Sequence, residues 1–234
     1  MRIGVIMLDT RFPRPPGDIG NPETFAGRAL YEIVPGAAAE RVVRAGSPDP
    51  ALAAPFLAAR DRLVRAGAGL VTTSCGFLVR FQAALAEDCP VPVISSSLLA
   101  LPALARRHGR VGVITIHAGK LTPEYLVAAG AAPDTPVAGT EPGQELTRKL
   151  LGDAPDLDLA AAERDVIEAG ERLVKRDRDL GAVLLECTNM PPYRDALARK
   201  LGLPVHDILT VLAERAPELV AWPAAPRHSG RPAA

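Results

Sequence analysis

The chain has 234 residues, 48% hydrophobic and 4% aromatic, with 27 Lys plus Arg against 27 Asp plus Glu and three cysteines. This length and apolar content suffice for one large or two small domains with a true core, which excludes a disordered chain. Zero formal net charge without a basic block removes the attraction that dominates nucleic-acid binding, so no DNA or RNA partner is expected.

From the N-terminus, Arg2 to Leu8 reads as a buried strand that ends at Asp9. Its apolar run is too short for a secretion signal. Arg11 to Gly27 holds four prolines and three glycines, so no regular element is expected there; loops of this length usually serve as lids or binding loops. Leu52, Phe56 and Leu63 recur at helical spacing. Gly69 to Thr73 reads as a strand leading into Cys75, and Ser74 and Gly76 mark the start of a helix carrying Leu78, Phe81 and Leu85.

Further strands are expected at Val91 to Ser95, Arg110 to Ile116 and Gly181 to Leu185, with a helix bearing Leu159, Ala162, Val166 and Leu173 between the last two. The densest apolar stretch, Val91 to Ala105, is broken by Ser95, Ser96 and Ser97 and falls short of the roughly 18 residues of a membrane span. No membrane partner is therefore expected. Few, scattered cysteines without metal-ligand spacing fit a reducing cytoplasmic location and imply no metal. After Cys187, the N-cap types Thr188 and Asn189 and then Pro191 announce another helix. Trp222 to Ala234, rich in Pro, Ala and Arg, reads as a mobile tail.

Short apolar strands alternating with amphipathic helices give an α/β class with mainly parallel sheets. The chain also repeats itself. Arg2-Ile3-Gly4-Val5-Ile6 returns as Arg110-Val111-Gly112-Val113-Ile114, and Arg62-Leu63-Val64-Arg65 as Arg172-Leu173-Val174-Lys175. Cys75 and Cys187 precede Pro92-Val93 and Pro204-Val205 at the same spacing. Four elements in one order predict two similar lobes, each a mainly parallel sheet flanked by helices, related by a pseudo-twofold axis. The expected division is 1–96 for the first lobe, joined by a C-terminal helix at about 208–221, 97–207 for the second, and 222–234 for the tail.

In open α/β sheets, ligands bind at the carboxyl ends of strands, where both Cys75 and Cys187 fall. A helix N-terminus behind each would lower its thiol pKa from about 8.5 toward neutrality. Cys89 has no counterpart and reads as packing, as do His108 and His206; His228 falls in the tail.

One cysteine in each half, in TTSCGF and LECTNMPP, together with Asp9 ending the first strand, resembles the cofactor-independent aspartate/glutamate racemase superfamily over roughly residues 1 to 210. The loop Gly17-Asp18-Ile19-Gly20-Asn21 looks like an uncharacterised branch rather than the glutamate racemases. The resemblance implies an isomerase acting on a small carboxylate-bearing substrate without pyridoxal phosphate or other cofactor. One thiolate would remove the Cα proton and the other thiol would deliver one from the opposite face.

On that reading the backbone N–H groups of Gly76 and Thr188 and the side chains of Ser74, Thr188 and Asn189 hold the carboxylate. Asp9 would receive an amino group or orient Cys75, and Asn21 joins the substrate-binding set, although the residue types favour Asp18 and Asn21 holding the loop by side-chain to backbone bonds. Glutamate racemases follow the second cysteine with Thr-His and the first with Asn-Thr; here Thr188-Asn189 and Gly76-Phe77 stand there, and His117, placed like Asp9 in the second half, is the candidate partner of Cys187. Alternatives are a hydantoin racemase, a maleate-type cis-trans isomerase, or a non-catalytic small-ligand binding protein; an arylmalonate decarboxylase keeps only one of the two cysteines. A homodimer is compatible with all of these.

Overall fold

The computed structural model describes residues 1–220. The chain runs β1 (Arg2–Met7), β2 (Ala29–Ile33), α1 (Ala39–Val42), α2 (Ala53–Arg65), β3 (Ala68–Thr73), α3 (Gln82–Ala86) and β4 (Val93–Ile94), then α4 (Leu101–His108) and β5 (Arg110–Thr115). It continues with α5 (Pro123–Ala128), β6 (Val137–Gly139), α6 (Leu146–Leu151), α7 (Leu159–Arg176), β7 (Leu180–Leu185), α8 (Arg194–Leu201), β8 (Val205–His206) and α9 (Ile208–Arg215).

The strands form two four-stranded sheets of identical order, β2-β1-β3-β4 and β6-β5-β7-β8, parallel throughout. The central strands are covered on both faces, which is why they read as unbroken apolar runs. The duplication extends to detail. β1 and β5 share one burial pattern, and β3 and β7 share another. The β1–β3 ladder shifts register between Arg2 and Ile3, and the β5–β7 ladder shifts between Arg110 and Val111. Gly4 and Gly112 occupy equivalent crossings: a Cβ on Gly4 would lie 3.0 Å from Ala68 and 3.1 Å from Leu63, and one on Gly112 would lie 2.8 Å from Leu173 and 2.9 Å from Leu180. The repeated tetrapeptides thus supply the leucines that press on the repeated glycines.

A large apolar core runs through both lobes. A smaller one unites Ile3, Val5, Met7, Leu70 and Ile94 with Ile208, Leu209 and Leu212, so α9 covers the free face of the first sheet. Its start is fixed by a reciprocal cap between Asp207 and Thr210. α9 stops at Arg215 and a 3-10 turn, Pro217–Leu219, follows, so this end is shorter than the helix to about residue 221 expected from sequence. The expected tail, 222–234, lies outside the described residues. Among those described, no helix is long and apolar enough to cross a membrane.

Two sequence expectations are corrected. β2, β6 and β8 are additional strands, short or at sheet edges. The elements behind the cysteines begin as 3-10 turns, Gly76–Phe81 and Pro191–Tyr193, before α3 and α8. Pro191 and Pro192 lack N–H donors and suit either kind of first turn, so their presence does not decide between them. The loop of residues 11–27 is largely irregular, with one 3-10 turn at Pro22–Phe25 and with Ile19 and Phe25 fully buried.

Candidate active site

Both cysteines sit one residue beyond the ladder of a central strand. Ser74 donates its N–H to Ile6 O at 2.9 Å, and Glu186 donates its N–H to Ile114 O at 2.8 Å. Each chain then turns back, with Leu78 N–H bonding to Cys75 O and Met190 N–H to Cys187 O, both at 3.1 Å. The two turns interlock: Thr188 Oγ1 donates to Ser74 O at 2.7 Å and Ser97 Oγ to Leu185 O at 2.8 Å. The carboxyl ends of β3 and β7 are thereby brought to one cleft.

The polar groups lining this cleft come from Arg14, Ser74, Cys75, Glu186, Cys187 and Asn189, and the rest of the wall is mostly apolar, with Leu8, Phe12, Phe77, Ile116 and Leu150. Both thiols are free, 9% and 8% exposed at Cys75 and Cys187. Cys187 Sγ donates to Asn189 Oδ1 at 3.4 Å, Asn189 Nδ2 donates to Asp18 Oδ2 at 2.6 Å, and Asp18 Oδ1 accepts from Arg14 Nη1 at 2.9 Å. The proline-rich loop is therefore wired to the second cysteine.

Electrostatics reverse one sequence expectation. With 3-10 turns behind them and little water around them, neither thiol is lowered; burial first, and the Glu186 carboxylate second, push both up. Glu186 is itself pushed up to about 7 by burial, against the bond it accepts on Oε2 from Thr115 Oγ1 at 2.7 Å. Its Oε1 is buried without a hydrogen-bond partner among the described residues. Gly76 makes room for this carboxyl, because a Cβ there would lie 2.2 Å from Glu186 Oε1 and 2.5 Å from its backbone O.

Of the residues singled out from sequence, Cys75, Cys187, Ser74, Gly76 and Asn189 line the cleft. Ser74 Oγ is already occupied by the N–H of Leu8 at 2.8 Å, and Thr188 stands behind the wall bridging the lobes. Besides Thr188, three more fall outside the lining. Asp9 is exposed and accepts from Gly36 N at 2.9 Å, which makes it a turn cap. Asn21 caps the turn at Pro22–Phe25 and donates to Arg14 O at 2.8 Å. His117 precedes the turn Ala118–Lys120, with its Nδ1 buried and unpartnered. Sequence reasoning missed Glu186, Arg14 and the reach of Asp18. An acid at the end of an apolar strand run was the available signal for Glu186. Among the described residues, no group of three or more His, Cys, Asp or Glu is placed to hold a metal ion.

The model of the Asp/Glu/hydantoin racemase family matches residues 31–216. The chain belongs to this family. The chain is 28% identical to a dimethylsulfoniopropionate lyase of Durusdinium sp. clade D over 88% of its own length and 71% of the other's. It is 31% identical to dimethylsulfoniopropionate lyase 6 of Emiliania huxleyi, aligning over 89% of this chain but only 57% of that one. Among solved structures, an allantoin racemase from Pseudomonas fluorescens superposes with a TM-score of 0.59, covering 99% of both chains at 19% identity, a likeness of fold. An unliganded arylmalonate decarboxylase superposes with a TM-score of 0.57 over 99% of this chain and 98% of that one at 15% identity, so the two-lobed architecture of this Asp/Glu/hydantoin racemase family member is shared with enzymes named for different reactions.

Proposed function

We propose that this chain is an enzyme that removes a proton from the carbon beside a carboxylate, using Cys75 and Cys187 as an acid/base pair and no cofactor, and that it completes a β-elimination where the next carbon carries a leaving group. The observation that carries this reading is the placement of two free thiols, at equivalent ends of β3 and β7, in the lining of one cleft. Burial that raises the thiols also makes their thiolates strong bases once formed, and a poorly hydrated cleft strengthens any donor aimed at developing charge.

The composition of the wall favours elimination. An amino-acid substrate brings an ammonium group with N–H donors to satisfy, but Asp9 is turned to the surface and Glu186, the carboxyl in the lining, is held toward its neutral form. A sulfonium carries positive charge without N–H donors, and walls such as Phe77, Leu8 and Ile116 suit it, the Phe12 ring being already covered on one face by the Arg14 guanidinium at 4.3 Å. Dimethylsulfoniopropionate, named in the relatives, has this chemistry. A thiolate would take the Cα proton, the electron pair would form the Cα–Cβ double bond, and the Cβ–S bond would break to release dimethyl sulfide and acrylate. The captured proton then leaves the thiol for solvent.

Stereoinversion is the second reading, favoured by the matched positions of the two cysteines, since only inversion requires a group on each side of the carbanion.

Incubation in deuterated water, followed by NMR, separates these readings. The elimination reading expects acrylate from dimethylsulfoniopropionate, whereas inversion expects Cα deuterium uptake with loss of optical rotation from amino acids, hydantoins or 2-substituted acids. Inversion should fall by about 10²-fold or more in both Cys75→Ser and Cys187→Ser, whereas elimination needs one base and should fall that far in the variant that removes it. Full activity in Cys187→Ala overturns the paired-thiol mechanism.

A further inference from the structure

Glu186 is the second lobe's counterpart of Ser74, but it behaves differently. Thr115, at the end of β5, fixes its Oε2 at 2.7 Å. Oε1 is buried with no partner among the described residues, in a residue 1% exposed that lines the cleft between the cysteine turns. Any side chain at position 76 would collide with that oxygen. The chain has therefore cleared space for a carboxyl, anchored one oxygen and left the other unsatisfied at the site, an arrangement that costs stability unless something else bonds there.

We infer that Glu186 acts as a neutral acid whose Oε1–H donates to a carboxylate oxygen of the substrate and holds it as negative charge spreads onto that carboxylate. This rests on the proposed reading of the cleft as a site for carboxylate-bearing substrates. The groups facing Glu186 are compatible with it: the thiols of Cys75 and Cys187, raised and neutral; the Tyr125 phenol of α5, occupied with Arg44 O at 2.6 Å; and Arg14, paired with Asp18. Burial keeps the carboxyl near 7, so the acid form is available at neutral pH, and a bound carboxylate would raise it further. The same group thereby selects for an anion able to accept a hydrogen bond.

Propionate, which has the carboxylate and no leaving group, is the probe. Its binding would be measured by calorimetry in buffers of different ionisation enthalpy, below and above the carboxyl's value of about 7. For the unsubstituted protein, the affinity should fall by about tenfold per pH unit above that value, and binding below should retain the proton on the protein. Glu186→Gln keeps a neutral donor and should bind propionate without this pH dependence; Glu186→Ala should bind about tenfold more weakly below neutrality. Propionate binding that is flat with pH, or a Glu186→Gln protein with the original dependence, overturns the role of Glu186 alone. Absence of propionate binding at any pH overturns it together with the carboxylate reading of the cleft.

Discussion

The side-chain amide of Asn189 donates to Asp18 Oδ2 at 2.6 Å across a separation of 171 residues, and both residues are buried. The bond makes the wall beside Cys187 and the loop that brings in Phe12 and Arg14 a single unit. Asp18 also accepts from Arg14 Nη1 and, at 2.7 Å, from Gly20 N–H. Asp18→Ala would leave a buried amide and a guanidinium without this carboxylate, at a cost of about 3–5 kcal/mol. Urea denaturation should show that loss, and activity should fall with it as Phe12 and Arg14 lose their positions. A midpoint unchanged from the original protein would show that the loop is held by its apolar contacts instead.

Raised thiols react slowly. Alkylation by iodoacetamide proceeds through the thiolate, so Cys75 and Cys187 should be modified far more slowly at neutral pH than the partly exposed Cys89, with their rates climbing only above the ordinary thiol range of about 8.5. The Glu186 charge is the second cause of both shifts, so Glu186→Gln should move this rise to lower pH. Peptide mapping of the alkylated protein after a timed exposure reads all three sites at once. Modification of Cys75 or Cys187 ahead of Cys89 at neutral pH would contradict the electrostatic account.

Away from the cleft, His108 and His206 place their Nε2 atoms 3.3 Å apart. Burial first and His108 second lower His206 to about 4, and burial lowers His108 as well. Each folded value lies below the unfolded one, about 6.5, so the unfolded chain takes up protons first. The pair's contribution is therefore complete above about 6.5 and is lost as pH falls toward 4. Its slope should stay well below about 2.7 kcal/mol per pH unit, the two-proton limit, because solvent reaches both rings. Urea midpoints collected through this window should decline less steeply for His206→Gln than for the original protein; parallel curves would remove the pair from the acid limb.

The parts of the fold most visible in the amino-acid sequence are those where local and tertiary demands coincide. β1, β3, β5 and β7 are covered on both faces and could be found as apolar runs, and the repeat that relates them located both cysteines. β2 carries Glu32 and is only partly buried, while β6 and β8 have three and two residues, so their patterns carry little information. Site residues divided in the same way. Ser74, Gly76 and Asn189 lie beside the cysteines and were found by proximity. Asp18 read as a loop-holding residue because its partner is remote in sequence. Asp9, at a strand end that suggested chemistry, instead caps the turn at Gly36. Thiol acidity was the least legible property, because it depends on desolvation and on Glu186 as well as on the element that follows each cysteine.

The repeated halves agree even in their ladder irregularities, yet they diverge at the cleft, where Ser74 faces Glu186 and Phe77 faces Asn189 as counterparts. A carbon held in this cleft meets a carboxyl and an amide contributed by the second lobe and a hydroxyl and an aromatic ring contributed by the first. Two hydrogens on that carbon are then chemically inequivalent to the protein, even when the free molecule has no handedness of its own.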